Sequence, residues 1–324
     1  MTYAQHTAGF DQLAHDSAKV NGVELHYAHA GAGPLILFLH GFPQCWYQYR
    51  NQLAEFSRDH LAVAPDLRGY NLSSKPDDVH AYLTCTLVED IRQLVQQLGY
   101  ERFVLVGHDV GGAVAWSFAL HHPQMLSALA ILDTPHPAPF DEALRNDVEQ
   151  QQGSAYMLTA RRPDAAAIIA AEDFRALREA LDEPFISAQD LEHYVQSWKE
   201  PGALAAALRW FHAEGQGPPS PDGTLAHGNI VRHISPQTVS VPTLVMYPTA
   251  DRWIRPASHV GLERYVPDLT FIEVDGASHW LAEEQPELVS RSIREHLARV
   301  EANGEQKRSF GSCVNSTPAA RRLS

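Results

Sequence analysis

The sequence predicts an α/β protein: a mostly parallel sheet with helices on both faces, interrupted by an inserted helical cap. Three observations predict it. Short, wholly apolar runs of strand length recur in the first third, at Leu35–Leu39 (LILFL), Leu61–Pro65 (LAVAP) and 103–106 (FVLV), as expected for strands buried on both faces. Amphipathic helical patterns alternate with them. After 128–132 (ALAIL) that alternation stops for roughly 100 residues, which read as helices without a convincing strand, and it resumes at 243–247 (TLVMY).

Taken in order, 23–28 (VELHYA) alternates apolar and polar residues, the pattern of a half-exposed strand. The stretch 84–98 places Leu87, Ile91, Leu94, Val95 and Leu98 at helical spacing, with Gly99 as the stop. Pro135, Pro137 and Pro139 crowd the exit from the fourth apolar run, 128–132, and the nearly all small, apolar 165–171 and 204–211 (LAAALRWF) read as cap helices. Pro218, Pro219 and Pro221 mark a loop before strands return at 243–247 and Leu269–Val274 (LTFIEV), followed by a terminal helix over 286–300. The division expected is therefore a core of residues 1–136 and 239–300, a cap of 137–238, and a polar, aperiodic, disordered tail of 301–324. No internal repeat is visible.

Composition narrows the function. With 324 residues, 44% of them hydrophobic and 20% charged, the chain can bury a large core. A formal charge of −14 repels nucleic acid and anionic lipid, so neither is expected as a partner. Cys45, Cys85 and Cys313 are too few for a disulfide framework or a cysteine metal site, and no metal or cofactor is expected. The first ten residues lack a basic stretch followed by an apolar run, and the apolar runs are far too short to span a bilayer. A cytoplasmic protein is the expectation. A homodimer is compatible with the sequence, which does not set the oligomeric state.

The chemistry is concentrated in Gly107-His108-Asp109-Val110-Gly111, directly after an apolar strand and directly before the helical run 113–120 (AVAWSFAL). This is a nucleophile elbow, Gly-x-nucleophile-x-Gly, with Asp as the nucleophile. Its glycines relieve crowding at a tight strand-to-helix turn, and the helix N-terminus behind Asp109 favours an anion. Alone, the pentapeptide also reads as an Asp N-cap between packing glycines. Context decides, because the partners follow in the required order of nucleophile, acid and histidine. Asp251 follows the strand TLVMY and His279 follows LTFIEV, both at carboxyl ends of strands, where open α/β sheets place their sites. After the first buried strand comes His40-Gly41-Phe42-Pro43, where the Phe42 N–H is expected to join that of Val110 in an oxyanion hole. His40 reads as support for this loop ahead of a second base.

These elements resemble the α/β-hydrolase superfamily and, more narrowly, its soluble epoxide hydrolase branch. The resemblance is carried by HGFP (40–43), Trp46-Tyr47, DLRGYNLSSKP (66–76), GHDVGGAVAW (107–116) and TPHP (134–137), and it spans about 20–300. It implies the α/β-hydrolase fold and a hydrophobic small-molecule epoxide as substrate. A carboxylate is a weak nucleophile toward esters but can displace a leaving group at saturated carbon, giving an ester on the enzyme that His279-activated water then hydrolyses. That chemistry suits an epoxide or an alkyl halide.

The leaving group separates the two. An opening epoxide wants an O–H donor, and by resemblance Tyr156 fills the first of two cap tyrosine positions. The second is expected in a Trp-Tyr pair, where this chain has Trp210-Phe211; Tyr156 then acts alone, or Tyr194 or His212 substitutes. Haloalkane dehalogenases carry Trp after the nucleophile and Asn after the HG pair, and fluoroacetate dehalogenases carry Arg after the nucleophile. Val110 and Phe42 stand at those positions, against both. The acid is read as Asp251, with Asp133 as the alternative, since fluoroacetate dehalogenases draw theirs from that earlier strand and epoxide hydrolases usually have Asn there. His40, Trp46, Tyr47, His108, Trp210, Phe211 and Trp280 are expected around the substrate. A haloacid dehalogenase and a non-catalytic small-molecule-binding protein of the same fold remain as alternatives.

Overall fold

The structure is a computed structural model that describes residues 13–220 and 238–314. Eight strands form one sheet in the order β1-β2-β4-β3-β5-β6-β7-β8. They are β1 (Ala14–Val20), β2 (Val23–Ala30), β3 (Leu35–Leu39), β4 (Leu61–Pro65), β5 (Phe103–His108), β6 (Leu126–Leu132), β7 (Thr243–Pro248) and β8 (Leu269–Val274). β1 and β2 pair antiparallel, as do β2 and β4, and all other neighbours run parallel. The central runs are buried throughout, with every residue of β3 below 1% exposure. Burying each such Leu or Phe is worth about 1.5–3 kcal/mol, which is why unbroken apolar runs settle at the middle of the sheet.

Helices α1 (Arg50–Phe56), α2 (Thr84–Gln97) and α3 (Asp109–His121) follow β3, β4 and β5 and cover the sheet. Two separate apolar clusters result. Leu37, Leu105, Trp116, Phe118 and Ile91 belong to one, and Ile36, Phe38, Phe56, Met246 and Ile293 to the other. Alternate residues of β3 thus serve opposite faces, as a strand's period of two requires. Gly99 ends α2 with φ +86°, a left-handed turn suited to glycine.

Between β6 and β7 the described residues form six helices: α4 (Pro137–Asn146), α5 (Val148–Gly153), α6 (Tyr156–Ala160), α7 (Ala165–Ala180), α8 (Ala188–Lys199) and α9 (Ala203–Glu214). This is the inserted helical cap. Ser187 and Asp190 close a reciprocal capping box at the start of α8, while α7 leaves helical geometry over Ala171, Glu172, Asp173 and Phe174. The Pro221 end of the proline-rich loop lies outside the described residues.

Three expectations need correcting. β1 has no counterpart among the expected strands, because this edge strand buries only Ala18 and Val20 and carries little periodicity. β2 is not half-exposed: His26 is buried, with Nδ1 2.6 Å from Asp66 Oδ2, so a polar residue occupies an inward position by pairing with a carboxylate. The terminal helix runs from Pro286 to Val314, past the end expected near residue 300. Polarity misleads there because Ala, Glu, Gln, Lys and Arg are all good helix formers.

Candidate active site

The carboxyl ends of β3, β5, β6, β7 and β8 bring the site together. Asp109 opens α3 directly after β5 with φ +49°, a left-handed conformation that costs a non-glycine residue about 1–2 kcal/mol. The crowding that demands glycine is visible around it. A Cβ on Gly41 would overlap the Asp109 side chain, and one on Gly111 would strike the Leu39 carbonyl. The elbow is locked to β3 as well, since the Gly111 N–H donates to the His40 carbonyl at 3.0 Å.

Asp109 Oδ1 accepts the Phe42 N–H at 2.7 Å, and the Val110 N–H also bonds this carboxylate. The two amides expected from sequence therefore converge on one side chain. Asp109 Oδ2 lies 4.0 Å from His279 Nε2. Burial raises the Asp109 pKa, against the opposing pull of His279 and the two N–H donors.

His279 Nδ1 meets two carboxylates, Asp133 Oδ2 at 2.7 Å and Asp251 Oδ2 at 2.8 Å. Both acids are buried, Asp133 at 0% and Asp251 at 1% exposure. Their environments differ. Asp251 Oδ1 accepts the Trp253 N–H at 2.6 Å, whereas Asp133 Oδ1 has no hydrogen-bond partner among the described residues. Burial and then the charge of Asp251 hold Asp133 well above the usual carboxylate range. For Asp251 burial acts upward too, but His279 and the hydrogen bonds outweigh it and the net shift is down. Burial pulls His279 down, yet the charge of Asp251 and the bonds to both acids leave its pKa well above the ordinary value. Behind it, His108 Nε2–H donates to the His279 carbonyl at 2.9 Å. His108, Asp133 and His279 could bring ligand atoms within 4.8 Å of one another; Asp133 Oδ2, His279 Nδ1 and His108 Nε2 are engaged in this hydrogen-bond network.

Above these groups lies a cavity of about 410 Å³ whose lining includes Phe42, Asp109, Tyr156, Phe211, His279 and Trp280. Burial first, and the Asp109 charge second, hold the Tyr156 hydroxyl well above the usual phenol range, so it stays protonated as a donor must. The Phe211 ring meets the rings of Tyr156 and Phe42 edge-on, with centroids 6.1 and 5.5 Å apart.

Several expected pocket residues do other work. His40 is buried below the loop, donating from Nδ1 to the Gly41 carbonyl and accepting the Leu67 N–H at Nε2, both at 3.0 Å. Trp46 packs against His15 and Tyr47, away from the cavity. Tyr47 donates to Asp190 on α8 at 2.9 Å and stacks on His193. His108 supports His279 from beneath, and Trp210 turns its Nε1–H to Thr84 Oγ1 at 3.2 Å. Neither substitute donor is available: Tyr194 already donates to Glu283 Oε1 at 2.8 Å, and His212 is exposed outside the lining. Sequence reasoning missed Trp253, which lines the cavity, packs 5.0 Å from the His279 ring and holds Asp251 through its N–H. Its place two residues after Asp251, in the loop beyond β7, was the available signal.

Residues 34–286 match the alpha/beta hydrolase fold family. The AB hydrolase superfamily protein YfhM of Bacillus subtilis is 36% identical over 285 residues, covering 86% of this chain and 95% of that protein. Epoxide hydrolase 3 of Xenopus tropicalis is 32% identical over 294 residues, covering 86% and 76%. Among solved structures, that of an epoxide hydrolase from Bacillus megaterium in complex with an inhibitor superposes with a TM-score of 0.80 at 32% identity, covering 87% of this chain and all of that one. With this match and these likenesses, the chain belongs to the α/β-hydrolase fold family, in its epoxide hydrolase branch.

Proposed function

We infer that this protein hydrolyses a hydrophobic epoxide to a vicinal diol through an ester on Asp109. The observation that carries the reading is the division of labour within the Asp109 carboxylate. Oδ1 accepts the Phe42 amide and the Val110 amide also bonds this carboxylate, while Oδ2 lies on the side of His279. In the first step a carboxylate oxygen attacks an epoxide carbon, the C–O bond breaks, and the Tyr156 hydroxyl donates its proton to the departing oxygen. The second step regenerates the enzyme. His279 Nε2 takes a proton from water, whose oxygen attacks the Asp109 carbonyl carbon, and the amides of Phe42 and Val110 stabilise the oxyanion. As it collapses, the diol oxygen leaves with the proton held by His279, and the proton of the new Asp109 carboxyl returns Tyr156 to its neutral form. Asp251 orients His279 and stabilises its cationic form.

On this reading residues 137–238 are the cap and 1–136 and 239–300 the core, and the described cap helices bring Tyr156 and Phe211 to the cavity above Asp109. Aromatic lining favours an aryl or similarly apolar substituent, in keeping with the naphthyloxy-propanediol product bound to the Bacillus megaterium relative. No helix among the described residues is long and apolar enough to cross a membrane. Mass spectrometry of His279→Gln protein exposed to an aryl epoxide tests the reading: an adduct of the epoxide's mass on Asp109 is expected. No adduct from a broad epoxide panel, with halide released from haloacetates instead, would replace it with the dehalogenase reading.

A further inference from the structure

Two carboxylates on one imidazole nitrogen are more than a triad needs. His279 Nδ1 carries one proton, yet Asp133 Oδ2 and Asp251 Oδ2 stand 2.7 and 2.8 Å from it, which sets the two carboxyls side by side on one nitrogen, where each feels the other's charge. Carboxylates this close and this dry cannot both be ionised, so the pair must share a proton. The contacts say where it rests. Asp251 has a second anchor in the Trp253 N–H, a donor that favours the anion, whereas Asp133 Oδ1 meets no donor among the described residues. The neutral carboxyl is therefore Asp133, and its O–H can donate to Asp251. Asp133 also sits at φ +47°, an unfavourable conformation for a non-glycine residue, held where its N–H reaches the Met246 carbonyl at 2.9 Å. That backbone bond ties the end of β6 to β7 and fixes Asp133 within reach of Nδ1.

We propose that Asp133 and Asp251 act as one two-carboxyl acid, in which neutral Asp133 positions anionic Asp251 and can itself become the anion that orients His279 when Asp251 is neutralised. This rests on His279 acting as base in the ester-hydrolysis step, and it assigns a role to a residue that a single-acid triad leaves idle. Asp133 is a positioning residue in the native protein. Only a proton moves between the two carboxyls, and no bond to substrate is involved.

The test compares Asp251→Asn, Asp133→Asn and the double variant, each checked for native circular dichroism. Two readouts are taken: decay of the Asp109 ester in single turnovers, and the strongly downfield proton resonance of a carboxylate-bound imidazole Nδ1–H. Losing every acid partner should slow ester decay about 10⁴-fold, as when a triad histidine loses its orienting carboxylate. Asp251→Asn alone should slow it only about 10- to 100-fold, because Asp133 then ionises and takes over. The downfield resonance should persist in each single variant and vanish in the double. Ester decay in Asp251→Asn as slow as in the double variant, or loss of the resonance in Asp251→Asn alone, would overturn the proposal. The resonance needs no substrate, so the inference stays testable even if no ester forms, an outcome that would instead count against the proposed function.

Discussion

The floor and the cap side of the cavity differ in how their polar groups are held. On the floor Asp109 is fixed by two backbone amides, and His279 by two carboxyls and by His108 beneath it. On the cap side Phe211, Ile169 and Leu177 present apolar surface, and among the described residues no hydrogen-bond partner meets the Tyr156 hydroxyl. The floor is preorganised for charge that changes hands at fixed positions, which is what ester hydrolysis demands. The cap side presents apolar surface and the Tyr156 hydroxyl, which on the proposed function is the donor that epoxide opening demands. On the proposed function, chemistry is therefore over-determined below and rests on Tyr156 above.

Removing the nucleophile should have the largest effect. Asp109→Asn leaves the fold and the cavity in place but removes the attacking anion, and turnover should fall by at least about 10⁴-fold in a diol-formation assay. Retention of more than a hundredth of the native rate would mean that Asp109 forms no ester. Tyr156→Phe comes next. Losing one hydroxyl that binds the developing alkoxide should slow ester formation about 10²-fold, or about 3 kcal/mol. Ester decay should be almost unaffected, because the floor carries that step. If both half-reactions slowed together, the division between floor and cap would fail.

The two regions were also unequally legible in the sequence. Asp109, His279, Asp251 and the Phe42 and Val110 amides lie at strand ends whose apolar runs announce them, so chain order and spacing locate them. The joint engagement of Asp133 and Asp251 was not legible, because their contact is set by the parallel register of β6 on β7, in which Leu132 pairs with Met246. Aromatic residues misled. Trp46, Tyr47 and Trp210 sit in motifs next to the site, but their rings turn toward helix contacts and hydrogen bonds behind it. A motif fixes where a backbone passes, while the direction of a side chain depends on what packs against it.

Stability should distinguish the floor in a smaller way. Beneath Asp251, His259 is buried with both ring nitrogens unpartnered among the described residues, against Tyr247 and Phe271. Burial lowers its pKa from 6.5 to about 4, with the Asp251 charge opposing. A histidine pKa depressed in the folded state means the unfolded chain binds the proton more tightly. The stabilising effect is full above pH 6.5 and is lost as pH falls toward 4, amounting to about 2 kcal/mol by pH 5. Urea midpoints measured at pH 7.5 and 5 should show this loss in the native protein and a shallower one in His259→Phe. Parallel pH dependence in the two would assign the acid sensitivity to other groups.

The smallest expected effect bears most directly on the cap. Phe211 occupies the position where a second hydroxyl would complete the pair with Tyr156, and its ring lines the cavity beside the Tyr156 ring. Phe211→Tyr adds a donor without removing the aromatic contacts to Phe42 and Trp210. A second hydrogen bond to the developing alkoxide would be shared with an existing one, so the gain should be smaller than the loss in Tyr156→Phe: about 3- to 10-fold in the rate of ester formation, equivalent to roughly 1 kcal/mol. Only ester formation should respond. In the Tyr156→Phe background the same substitution should recover more, because the added hydroxyl would then be the sole donor. An unchanged opening rate in both backgrounds, in protein of native stability, would show that the residue-211 ring does not face the reacting oxygen, leaving Tyr156 as the only point at which the cap takes part in the chemistry.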